Sequence, residues 1–145
     1  MQTNMNKTSI NQSLLNAYAS ASYHVYTKPT FIIKINQYSA DLESLYALHH
    51  KNTAAFITAF NPYSQELDLN ENHKRNDDLK EAIKLLGLSY TRGDGRCGES
   101  NEVGEESFLI FGISKEQSIQ LGIESEQNAM VFCDKDAIPQ LLLLK

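Results

Sequence analysis

Apolar positions recur along this chain on two different periods. Leu14, Leu15 and Tyr18 fall at helical spacing and predict a short helix over 13–21, with Ser13 as its N-cap. Beyond Pro29, Phe31, Ile33 and Ile35 alternate onto one face, as in a strand. Leu42, Leu45, Tyr46 and His49 share one side of a second helix, capped by Ser39 or Asp41 and ended by Asn52 and Thr53. The run 54–60 is apolar without interruption, which fits a central strand covered on both faces. Asn61-Pro62 stops it, because proline cannot donate to a ladder. The broadest helical stripe, Leu79, Ala82, Ile83 and Leu86, predicts a helix over 71–86 with Gly87 just past its end. A short strand over 88–91 leads into a glycine-rich loop over 92–105, long enough to suspect function. Residues 107–111 form a second buried-type strand. Ser114 and Gln117 make a capping-box pattern that opens a helix to about Glu124. Residues 129–133 read as the last strand, and Pro139 begins a terminal turn that packs Leu141 to Leu144 back on the core.

The order is α-β-α-β-α-β-β-α-β. It predicts a single α+β domain, a mixed sheet of about five strands with three to four packed helices. With 145 residues there is room for one domain and its own core. We place the domain at 13–145, after a polar, frayed N-terminus over 1–12. Thirteen basic against eighteen acidic side chains give a net charge of −5, which argues against nucleic acid as a partner. No apolar run approaches the length of a membrane span, and the first residues hold no apolar segment of a secretory signal. Two cysteines, Cys97 and Cys133, fit a reducing compartment, so a cytoplasmic location is expected.

The chemistry-bearing patterns are few. Gly93 to Gly98 spells G-x-G-x-x-G, but no helix start follows it, as a dinucleotide site requires. What remains of that pattern is a loop whose backbone N–H groups can nest an anion, reinforced by Arg92 and Arg96. Cys97 lies among these arginines but has no histidine beside it in sequence. The spacing of Cys and His residues fits no zinc motif, so no metal and no cofactor is expected. Asn61 follows a buried strand, either orienting a ligand or making an Asx turn. Asn72, Arg75 and Asn76 share the first turns of the longest helix, where a helix N-terminus and an arginine attract anions. Glu105 and Glu106 enter a strand on opposite faces, so one is solvated and the other needs a partner. Gln127-Asn128 precedes the last strand and supplies neutral hydrogen bonds or a turn.

Taken in order, Thr58-Ala59-Phe60-Asn61-Pro62, Asn72 with Arg75, Glu105-Glu106-Ser107 and Gln127-Asn128-Ala129 resemble a small bacterial family, domain of unknown function 3293. The resemblance spans roughly residues 14–142, and the T-A-x-N-P string is its strongest piece. Where that family carries an aromatic residue shortly before the Glu-Ser pair, this chain has Val103 and Gly104. The resemblance brings no activity, but it implies that Asn61, Asn72, Arg75, Glu106, Ser107 and Gln127 form one matched set.

The expected function is a pocket for a polar small molecule, anionic or nucleotide-like. Asn61, Asn72, Arg75, Arg96, Ser107 and Gln127 would bind it, and Glu106 would act as base or as the arginine's partner. The alternative is an interaction module without catalysis, in which Leu141 to Leu144 seat a protein partner or a second copy of the chain.

Overall fold

The computed structural model describes residues 10–97 and 101–145. Helix α1 (Gln12–Ser20) is capped by the side chain of Asn11 rather than by Ser13. Ile10 and Asn11 are thus ordered, and the rest of the segment expected to fray, 1–9, lies outside the described residues. Strand β1 (Ser22–Val25) follows at once, then β2 (Phe31–Ile33). Helix α2 (Ala40–His49) is capped by Ser39 and ends at His50, whose left-handed backbone closes it two residues before the expected stop. Strand β3 (Ala54–Ile57) uses only the first part of the apolar run, and all four residues are buried. Helix α3 (Leu69–Leu85) begins at the Asp68 cap, and Gly87 takes the positive φ that follows its end. Strands β4 (Tyr90–Arg96) and β5 (Glu105–Phe111) form a hairpin. Helix α4 (Lys115–Glu124) carries the capping box read from Ser114 and Gln117. Strands β6 (Ala129–Cys133) and β7 (Pro139–Leu143) close the chain.

The α+β class stands, with four α-helices among the described residues, but the sheet they pack on is neither mixed nor five-stranded. It has seven strands in the order β2-β1-β4-β5-β3-β6-β7, every pairing antiparallel. Three corrections account for the difference. Ser22–Val25 is a strand too short to show a period. Arg92–Arg96 is strand rather than loop. The terminal leucines form β7, alternating between the sheet's two covered faces instead of making a turn.

Each face carries its own core. On one, Phe56, Leu109, Phe111, Val131 and Cys133 meet Leu42, Leu45 and Tyr46 of α2. On the other, Ile57, Phe108, Ile110 and Phe132 meet Leu79 and Ile83 of α3 and Leu121 of α4. Helix α2 lies over the end of its face that holds Phe111 and Cys133, with His49 stacked on Phe111 and the Tyr46 hydroxyl donating to the Cys133 carbonyl. The part around Glu105, Ser107 and Ala129 is left to α1.

Candidate functional site

Between α1 and that uncovered part of the sheet lies a cavity of about 440 Å³. Such a volume falls in the range of roughly 300–1,000 Å³ usual for small-molecule sites. Leu14, Ala17 and Tyr18 of α1 form one wall, and Tyr23, Phe56, Val131 and Leu141 of the sheet form the floor. Glu105, Ser107, Thr58, Asn61, Ser64 and Gln127 supply its polar edge.

The expected polar stations converge here through the segment after β3. Thr58 donates its hydroxyl to the Glu106 carbonyl and accepts from the Phe60 N–H. Ala59 receives the Arg75 Nε on its carbonyl at 2.7 Å and gives its N–H to Asn76 Oδ1 at 2.8 Å. Asn76, 1% exposed, also donates to the Glu106 carbonyl. Asn61 adopts a left-handed backbone, which asparagine tolerates better than most residues. Its N–H donates to Asn72 Oδ1, and its own Oδ1 accepts from Asn72 and from the Leu67 N–H. Gln127 donates to the carbonyls of Phe60 and Ser125. The T-A-x-N-P string is therefore a clasp: nearly every polar atom of the turn is held by α3, β5 or the segment after α4.

Three residues do not stand as expected of ligand contacts. Arg75 spends its guanidinium on Ala59 O, Ser125 O and Glu126, and it lies outside the cavity. Glu106 points to the α3 face, where it pairs with Arg92 at 3.2 Å and His73 at 3.5 Å. Asn72 also lies outside the cavity and acts on it through Asn61. Asn61, Arg96, Ser107 and Gln127 do line it.

The carboxylate that enters the cavity is Glu105. Its Oε2 accepts from Asn61 Nδ2 at 2.8 Å. Burial raises its carboxyl above the ordinary glutamate range, and the Asn61 hydrogen bond offsets part of that rise. The signal in the sequence was alternation: Glu105, Ser107, Leu109 and Phe111 share one face of β5. Which face is left open depends on how far α2 reaches, and that is a tertiary fact.

The glycine-rich stretch serves the same rim. Gly93 to Arg96 lie within β4, in a hairpin rather than a strand–turn–helix, so they make no phosphate nest; Gly98 lies outside the described residues. Asp94, fully buried, accepts from Arg96 Nε at 2.6 Å, from the Tyr26 hydroxyl and from the Gly104 N–H. Desolvation pushes its carboxyl up, and the hydrogen bonds and charge of these partners outweigh that and hold it below the usual aspartate range. Cys97 is an exposed free thiol at the cavity's edge, whereas Cys133 is core. Among the described residues, no group of three or more His, Cys, Asp or Glu side chains is placed to hold a metal, and no helix is long and apolar enough to cross a membrane.

Residues 57–130, half of the chain, match the model of a family described as protein of unknown function, DUF3293. The matched segment begins at the end of β3, contains the whole clasp with α3, β4, β5 and α4, and ends inside β6. No curated protein and no solved structure matches the chain.

Proposed function

The chain belongs to the DUF3293 family, whose description names no activity, and from the geometry of the site we propose that it is a small-molecule-binding domain. The ligand occupies the cavity between α1 and the sheet, with an apolar body on Tyr23, Phe56 and Val131 and a polar end at Glu105, Asn61 and Gln127. One observation carries this reading: the half-buried Glu105 opens into an otherwise largely apolar cavity and is met there by a single amide. Leaving a carboxylate in such a place costs stability unless something compensates it. The clasp then has a positioning role, since it fixes the backbone and side chain of Asn61.

The alternative of an interaction module drew on the acidic surface, the glycine-rich loop and four consecutive leucines. Of these leucines, Leu141 packs against one core and Leu142 and Leu144 against the other, which weakens the leucines as its support.

A ligand-observed NMR screen of fragments tests the proposal, with Ala17→Phe as the blocked variant. Ala17 sits on α1 facing the cavity, where added volume obstructs the space and leaves the sheet's two cores untouched. We expect a set of fragments that bind the wild type and are lost in Ala17→Phe, with circular dichroism unchanged. Fragments that bind both proteins equally would place the ligand elsewhere and refute the reading.

A further inference from the structure

The polar groups of the cavity are unevenly spent. Several of its donors are already turned onto protein acceptors. Tyr23 gives its hydroxyl proton to the Tyr18 carbonyl, Thr58 to the Glu106 carbonyl and Ser107 to the Glu105 carbonyl. Gln127 Nε2 faces two carbonyls, which fixes the orientation of the amide and leaves Oε1 as its other end. The Arg96 cation at the rim is turned to Asp94, two residues before it on β4, at 2.6 Å. Beside Glu105 what is left is mainly acceptor capacity: Glu105 Oε1, Gln127 Oε1 and the lone pairs of Ser107. Among the described residues no fully buried side-chain polar atom lacks a partner, so Glu105 Oε1 keeps accessible surface, and Glu105 lines the cavity. Charge points the same way, because Glu102 joins Glu105 in lining the space.

On this basis, and resting on the cavity being a ligand site, we propose that the ligand is a small amphipathic amine. Its protonated nitrogen sits on Glu105 and its apolar or aromatic body lies against Tyr23, Phe56 and α1. This reverses the anionic ligand expected from Arg75 and Arg96, because Arg75 is spent on the clasp and Arg96 on Asp94. An ammonium group would supply both the donors and the charge that the Glu105 carboxylate lacks.

The test is isothermal titration with three indoles of nearly one shape: tryptamine, its neutral alcohol tryptophol and the anion indole-3-propionate. Charge-assisted hydrogen bonds predict that tryptamine binds about tenfold or more tightly than tryptophol, with the anion weakest. Glu105→Gln keeps an acceptor for Asn61 and removes the charge. It should erase the preference for tryptamine over tryptophol. The preference should also grow as pH rises and Glu105 ionises. Among the described residues, the other titratable or charged groups lining the spaces that Glu105 borders are Tyr18, Tyr23, Arg96, Cys97, Glu102, Glu66 and Asp68, so the comparison with Glu105→Gln at each pH isolates its contribution. Tightest binding by indole-3-propionate, or equal affinities insensitive to Glu105→Gln, would overturn the amine assignment and leave the cavity a ligand site. Silence from all three indoles would overturn it too, and the Ala17→Phe comparison would then decide whether the cavity binds anything.

Discussion

Asp94 has no exposed surface and holds three separate groups: the Arg96 side chain, the Tyr26 hydroxyl and the N–H of Gly104. It thereby ties β1, β4 and the start of β5 together beside the cavity. Removing its charge breaks the close ion pair with Arg96, and breaking a buried pair typically costs about 3 kcal/mol or more. We expect Asp94→Asn to lose about that much in urea unfolding at neutral pH. Because the folded carboxyl titrates below the usual range, its contribution is full above the unfolded value of about 4. It fades as pH falls through the folded value. The gap between wild type and Asp94→Asn should therefore narrow toward about pH 3; a gap independent of pH would show that the charge is not what stabilises.

Among the elements, β4 shows most plainly what a pattern conceals. Its residues Arg92, Asp94 and Arg96 alternate with Thr91, Gly93 and Gly95, so neither side shows an apolar stripe. Glycine is required because the neighbouring strand comes too close for a side chain: a Cβ on Gly93 would stand 2.2 Å from the His24 carbonyl oxygen. We expect Gly93→Ala to push β1 away and destabilise by about 3 kcal/mol. Hydrogen exchange should report lost protection in β1 and β2 while β3, β5 and β6 keep theirs. Uniform loss, or none, would mean that β1 is not the weak seam. Other elements were legible because local rules and tertiary structure agree in them. The capping box of α4, the stripe of α3 with Gly87 beyond it and the buried run of β3 all needed only short-range information. β1 is too short to show a period, and β7 is apolar on both faces, so neither could be read that way.

At the scale of the whole molecule, the polar stations were legible as a set but not in their roles. Asn61, Asn72, Arg75 and Gln127 do converge, around one turn, and most of their bonds hold that turn rather than face a ligand. The choice between Glu105 and Glu106 turned on which sheet face remains uncovered. That follows from the length of α2 and the placement of α1, neither of which is written at the glutamates. The fold then explains why one part of the sheet can stay open: two independent cores, one on each face, stabilise the molecule, and α1 spans the remaining gap. A crystal structure of the protein soaked with the fragments that bind in solution tests this account most directly. It predicts density between α1 and the sheet, touching Tyr23 and Phe56 and ending within hydrogen-bond distance of Glu105. A cavity closed by α1 packing down on the sheet, with the fragments bound elsewhere, would contradict it.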